Sequence, residues 1–89
     1  MEIRREHEEK EQKNIVKHGI DFSTAALVFG DESRIELFDE EHSVDEDRYI
    51  TIGLVNDVLT VVYTIRTEAY RIISARIATK AEKEEYYGN

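Results

Sequence analysis

Four arginines in the second half of the chain are the side chains best suited to bind an anion. They are Arg48, Arg66, Arg71 and Arg76. A guanidinium group presents a planar fork of N–H donors that matches the oxygens of a phosphate. Arg66, Arg71 and Arg76 lie in segments rich in β-branched residues, which are typical of strands. This pattern predicts a phosphate-binding surface on a β-sheet.

The charge of the chain is unevenly distributed. The 89 residues carry a formal charge of −8, which argues against an extensive surface for polyanions. Residues 1–47 contain 15 acids and 6 bases, whereas residues 48–89 contain 5 acids and 6 bases. The composition therefore allows a small basic patch, and it leaves an acidic remainder suited to a basic partner protein.

Length and composition limit the class of protein. Eighty-nine residues suit one small domain, which we place over residues 1–89. The absence of cysteine excludes a disulfide framework and a thiolate metal site, and we expect neither a metal nor a cofactor. No apolar run is long enough to span a membrane, and the first residues are charged, so we expect a cytoplasmic protein.

Sequence patterns predict three helices. They cover residues 5–18, residues 22–30 and a segment that starts at Thr79. Gly19 is expected to end the first helix, because glycine readily adopts the left-handed conformation that follows a helix. In the third helix, Thr79 and Glu82 have the spacing of a capping box. The sequence therefore predicts where the first helix ends and where the third helix begins.

Four strands are predicted between the second and third helices. They cover residues 34–38, 49–56, 58–66 and 69–77, and an acidic loop, 39–48, separates the first two. Short connections between the last three strands favour consecutive hairpins. The order predicts an α+β fold, in which a four-stranded antiparallel meander carries two N-terminal helices and one C-terminal helix on one face.

Side-chain alternation predicts that the sheet has one apolar face and one polar face. The polar face is expected to carry Arg34, Arg66 and Arg76, where they could bind a phosphate. Parity instead assigns Arg71 to the apolar face, near the start of its strand. The alternative interpretation is that these arginines pair with nearby acids and only make the face soluble.

Four segments of the chain resemble the BrnT family. They are KHGIDFSTAALVF (17–29), DEEHSVDEDRYITIG (39–53), VVYTIR (61–66) and RIISARIATKAEKEEYY (71–87). The resemblance implies a RelE-like fold and a ribonuclease toxin of a bacterial type II toxin–antitoxin system. It also implies a BrnA-type antitoxin with a ribbon-helix-helix domain that binds operator DNA, so that the toxin meets this DNA only through its partner.

The same resemblance implies that RNA is cleaved without a metal, by attack of a ribose 2′-OH on the adjacent phosphorus. Such a reaction needs a base, an acid and cations at the crowded phosphate. Arg66 and Arg76 are expected to stabilise the phosphate, and His18 to act as base or acid, unless it only caps its helix. Tyr86 or Tyr87 could stack an RNA base or pack in the last helix. The residues expected to bind RNA are Lys17, Arg48, Arg71 and Lys80.

Other side chains of the matched segments have more than one interpretation. Arg48 could contact a phosphate, or it could pair with Glu46 or Asp47. His42, in the acidic loop, is a second imidazole candidate. Tyr63 is expected to lie in the core.

The chain departs from the family pattern at three places. Its start, MEIRREHEEKE, replaces an aromatic–Asp strand; Ile65 and Thr67 replace the usual neighbours of Arg66; and Ile77 stands where a base is common. Each change removes charge near the expected site. These departures favour an alternative function, in which a weakened or inactive toxin homologue binds the antitoxin and acts as a co-repressor.

Overall fold

The computed structural model describes the backbone of residues 2–88 and the side chains of residues 8–88. The elements are α1 (Glu2–His18), α2 (Phe22–Ala26), a 3₁₀ turn (Leu27–Gly30), β1 (Ile35–Phe38), β2 (Tyr49–Leu54), β3 (Val58–Arg66), β4 (Ala69–Ile77) and α3 (Lys80–Gly88). The strands form one antiparallel sheet in the order β1-β2-β3-β4. The predicted α+β meander with two N-terminal helices and one C-terminal helix is confirmed.

Helices cover the sheet on both faces, so the prediction of helices on one face is wrong. One core cluster joins α2 and the 3₁₀ turn to Leu59 and Val61 of β3. A second cluster includes Val58, and on that side the Thr60 hydroxyl donates to a carboxylate of α3. The reason lies in β3, because its side chains are buried on both faces of the sheet. We name the two sides of the sheet the α2 face and the α3 face.

The strand register determines which residues share a face. Ile52 of β2 pairs with Thr60 of β3, so the apolar row of β2 lies on the α3 face. Arg34 then falls on the α2 face, away from Arg66 and Arg76. The prediction that these three arginines share a polar face is wrong for Arg34. Alternation shows which residues of one strand share a face, but it does not show which residues of the next strand lie on that same face.

A β-bulge at Ile73 changes the alternation within β4. Val62 of β3 pairs with Ser74, and the next residue of β3 pairs with Ile72, so Ile73 is an extra residue. Before the bulge, Ile72 turns into the core and Arg71 turns to the α3 face. The parity prediction that put Arg71 on the apolar face is therefore wrong, and the bulge is the physical reason.

Asn14 fixes α1 along the edge of the sheet. Its side chain is buried, and its Nδ2 donates to the carbonyl oxygens of Ile20 and Ala75, both at 2.9 Å. Its Oδ1 accepts the N–H of Ala75 at 3.0 Å. Because β4 is an edge strand, these bonds satisfy backbone groups of Ala75 that point away from β3. The result is a helix that lies alongside β4.

Candidate functional site

A groove rich in cationic side chains runs between α1, β4 and the loop before β2. It consists of two adjoining depressions, of about 290 and 360 Å³, that share Lys10 and Ile73. We call it the basic groove. The other lining residues are Lys13, Asn14, Lys17, His18 and Ser74 in the first depression, and Glu46, Arg48, Arg66 and Arg71 in the second.

The α1 side of the groove carries three lysines at helical spacing. Lys10, Lys13 and Lys17 are separated by three and four residues, which brings them to one face of the helix. Asn14 lies among them, and its bonds to β4 fix the rotation of α1 so that this face borders the groove. Lys17 and His18 were predicted site residues, whereas Lys10 and Lys13 were not. Their spacing was the available signal.

The β3–β4 hairpin brings Arg66 and Arg71 to the second depression. Thr67 and Glu68 both have positive φ, of 51° and 63°, as in a two-residue type I′ turn. This turn pairs Arg66 with Ala69, and the bulge farther along β4 puts Arg71 on the same face. Left-handed backbone at non-glycine residues is costly, so the turn that positions these two arginines is strained.

The loop between β1 and β2 is attached to the sheet beside the hairpin. The Ser43 hydroxyl oxygen accepts the N–H of Arg48 at 2.9 Å. The Thr64 hydroxyl of β3 donates to the carbonyl oxygen of Asp47 at 2.7 Å. These bonds bring Glu46 and Arg48 against the end of β3, where both line the second depression.

Glu46 is the carboxylate of the second depression, and it forms an ion pair with Arg66. The closest distance between the guanidinium and the carboxylate is 3.1 Å. The Arg66 side chain is 52% exposed, so solvent screens the pair and its net contribution to stability is small. Arg66 can therefore exchange this carboxylate for a phosphate at little cost. Arg48 lies in the same depression as this pair.

Arg76 lies on the α3 face but lines neither depression. Its guanidinium donates two hydrogen bonds to Glu82, at 2.7 and 3.0 Å. Glu82 also accepts the N–H of Thr79 at 2.8 Å and the hydroxyl of Thr60 at 2.9 Å. The capping box of α3 is thus present as predicted, with Arg76 attached to it. A role of Arg76 at a phosphate stays a prediction, and it would require the guanidinium to leave Glu82.

We expect the Arg76–Glu82 pair to make the domain sensitive to acid. The hydrogen bonds from Arg76 lower the pKa of Glu82 from 4.5 to about 2. A carboxyl group with a lowered pKa stabilises the fold above its ordinary pKa, and this stabilisation is lost as the pH falls from about 4.5 towards 2. Urea unfolding should therefore show the largest difference between wild type and Glu82→Gln near neutral pH. A difference that does not shrink in acid would contradict this expectation.

Five other residues with predicted roles do not line the basic groove, namely His42, Tyr63, Lys80, Tyr86 and Tyr87. His42 binds a carboxylate of its own loop, with Nδ1 3.0 Å from the carboxylate oxygen. Lys80 is exposed at the start of α3. Tyr63 is buried, which confirms that it belongs to the core. The Tyr86 hydroxyl donates to the carboxylate of Asp31 at 2.5 Å, which ties α3 to the rest of the domain.

The described part of the chain has neither a grouped set of metal ligands nor a helix that could span a membrane. Among residues 8–88, no three His, Asp or Glu side chains are grouped so that they could hold a metal ion. Within residues 2–88, no helix combines the length and the apolar character needed to cross a membrane.

Comparison with protein families identifies the chain. Residues 7–82 match the model of the ribonuclease toxin BrnT of type II toxin–antitoxin systems. A comparison with curated proteins gives no match. The match covers most of the chain and contains every lining residue of the basic groove. The chain therefore belongs to the BrnT family of ribonuclease toxins of type II toxin–antitoxin systems.

Proposed function

We propose that this chain is a metal-independent endoribonuclease that binds RNA in the basic groove and inhibits translation by cleaving it. One observation carries the proposal, namely the concentration of positive charge. The groove holds six Lys and Arg side chains and one carboxylate. The rest of the sequence contains 19 acids and 6 bases, a formal charge of −13. Within the described part of the chain, we therefore expect a polyanion to be attracted to this groove.

The size and the lining of the second depression suit one phosphate group of an RNA strand. A depression of about 360 Å³ lies within the size range of ligand clefts in proteins. Arg48, Arg66 and Arg71 surround it with guanidinium donors, which favour a phosphate diester. Lys10, which borders both depressions, continues the positive charge along α1. We infer that one phosphate is held at the arginines and that neighbouring phosphates follow the lysines.

The proposed chemistry transfers the phosphate without a covalent enzyme intermediate. The 2′-oxygen forms a bond to phosphorus while the bond to the 5′-oxygen breaks, which leaves a 2′,3′-cyclic phosphate and a 5′-hydroxyl end. Glu46 is the candidate base for the 2′-OH proton, because it is the carboxylate that lines the arginine-rich depression. Arg66 stabilises the developing charge on the phosphate oxygens. His18, in the adjoining depression, is the candidate acid for the 5′-oxygen.

Replacing Glu46 with glutamine should separate binding from chemistry. The variant retains the shape of the side chain and loses its basicity, so we expect RNA cleavage to slow by about two to three orders of magnitude. RNA affinity should stay equal or rise, because a negative charge leaves the groove. Single-turnover cleavage and fluorescence anisotropy measure the two quantities. Glu40→Gln, an exposed position of the same loop, is the control. Unchanged or faster cleavage by Glu46→Gln would show that this carboxylate is not the base.

The partner of this chain in the proposal is a BrnA-type antitoxin with a ribbon-helix-helix domain. Membership of a type II toxin–antitoxin family supports a protein antitoxin. The acidic surface outside the groove supports a basic partner. Operator DNA is then bound by the antitoxin and not by the toxin surface itself.

Expression of the chain in bacteria tests the proposed function directly. We expect wild type without antitoxin to stop growth and Arg66→Ala to permit it at equal protein level. Growth that continues with the folded wild-type protein would favour the alternative, a homologue that binds antitoxin and takes part in repression without cleaving RNA. The half-exposed Arg66, paired with a carboxylate, is compatible with a weakened site of that kind.

A further inference from the structure

Aromatic rings form a continuous row across the sheet on the α2 face. Phe38 of β1 contacts Tyr49 of β2 with ring centres 5.7 Å apart, and Tyr49 contacts Tyr63 of β3 at 5.6 Å. Tyr63 contacts Tyr70 of β4 at 5.3 Å. Phe29 of the 3₁₀ turn stacks on Tyr70 at 4.1 Å with the ring planes 2° apart. We call these five residues the aromatic row.

The ends of the aromatic row are exposed although its centre is buried. Phe38 and Tyr70 are each 53% exposed, whereas Tyr63 is 5% exposed. Ile65, the cross-strand partner of Tyr70, is 50% exposed and extends the apolar surface. Ring-to-ring packing holds the exposed rings in place, so little conformational entropy would be lost when a partner covers them. Rigid, exposed aromatic side chains of this kind are typical anchors of protein interfaces.

The acidic charge of the chain indicates which kind of partner could cover the aromatic row. Glu36 lies beside it, because its carboxylate accepts the Tyr63 hydroxyl at 2.6 Å, and the same carboxylate pairs with Arg34 at 2.7 Å. Glu68 immediately precedes the β4 strand that carries Tyr70. Outside the basic groove the sequence has a formal charge of −13, so a phosphate backbone would be repelled and a basic polypeptide attracted. The basic groove uses Arg66 and Arg71, whose side chains lie on the opposite face of the sheet.

We propose that the aromatic row is the anchoring surface for the antitoxin. The occupant is a basic segment of the antitoxin whose apolar side chains pack on Phe38, Tyr70 and Ile65. Its cations face the exposed Glu68 and compete with Arg34 for Glu36. This inference rests on the antitoxin partner of the proposed function and not on ribonuclease activity. It assigns recognition of the partner and binding of RNA to opposite faces of one sheet.

Calorimetric titration with the purified antitoxin tests the anchor. Phe38→Glu and Tyr70→Ala should each raise the Kd at least about 10-fold, as loss of an aromatic hot spot does. Tyr87→Ala, at a tyrosine that is 67% exposed on α3, is the matched control and should change the Kd less than about twofold. Thermal melts of all three variants show whether the domain is folded. If Tyr70→Ala loses ring packing and unfolds, Phe38→Glu still tests the surface at the other end of the aromatic row.

Each other outcome has a distinct meaning. Unchanged affinity in both folded variants would overturn the proposal. Sedimentation that shows a wild-type dimer, dissociated by Phe38→Glu, would assign the surface to a second copy of the chain. Weaker binding of a single-stranded RNA by Tyr70→Ala would assign it to nucleobases, and either result overturns an antitoxin anchor. Absence of binding by wild type would instead count against the antitoxin part of the proposed function. The binding test does not depend on RNA cleavage, so it can be interpreted even if the chain does not cleave RNA.

Discussion

Replacing Arg66 with alanine should lower the rate of RNA cleavage by about two to three orders of magnitude and leave the fold intact. The guanidinium lines the arginine-rich depression, where it can stabilise the charge that develops on the phosphate. Its side chain is 52% exposed and its ion pair with Glu46 is screened by solvent, so little stability depends on it. Single-turnover cleavage measures the first effect, and thermal unfolding measures the second.

Arg34→Ala is the matched control for this expected loss of activity. Arg34 is also an arginine in an ion pair, 2.7 Å from Glu36, but it lies on the α2 face. The two variants remove the same charge from opposite faces of the sheet. We therefore expect Arg34→Ala to cleave RNA at nearly the wild-type rate. Equal losses in the two variants would mean that overall charge, and not the position of Arg66, accounts for the effect.

Replacing Asn14 with alanine should lower the free energy of unfolding by about 2 to 4 kcal/mol. The substitution leaves the N–H and C=O of Ala75 and the C=O of Ile20 without their hydrogen-bond partner in a buried setting. For a domain of this size, such a loss corresponds to a fall in Tm of about 10 °C or more. Urea and thermal unfolding measure it.

The same substitution should also weaken RNA binding, because α1 loses its fixed position along β4. Lys10 and Lys17 would then no longer be held beside the groove. Gln12→Ala, at an exposed position of the same helix, is the control and should change neither stability nor affinity by much. An Asn14→Ala protein as stable as wild type would show that α1 is not attached to the sheet through this side chain.

The order of elements was predictable because each boundary has a local cause. Gly19, with a φ of 73°, ends α1 as expected, and the Thr79–Glu82 capping box starts α3. The hairpin turn at Thr67 and Glu68 was also predicted from its position between two β-branched segments. Such signals depend on neighbouring residues in the sequence, so they can be recognised without knowledge of the tertiary structure.

The site was harder to predict because it depends on register and on contacts distant in sequence. The sequence around Ile73 does not predict a bulge, yet that extra residue places Arg71 on the same face of the sheet as Arg66. Asn14 and Ala75 are 61 residues apart, and their contact decides which face of α1 borders the groove. Arg76, which looks equivalent to Arg66 in a strand pattern, is held by Glu82 because α3 packs on that face.

The most direct test of the proposed function is cleavage of a single-stranded RNA by the purified chain in excess EDTA, with Arg66→Ala in parallel. We expect wild type to cleave the RNA, the products to carry 2′,3′-cyclic phosphate and 5′-hydroxyl ends, and Arg66→Ala to be nearly inactive. Cleavage that disappears with EDTA, or that persists at the wild-type rate in Arg66→Ala, would contradict a metal-independent reaction at the basic groove.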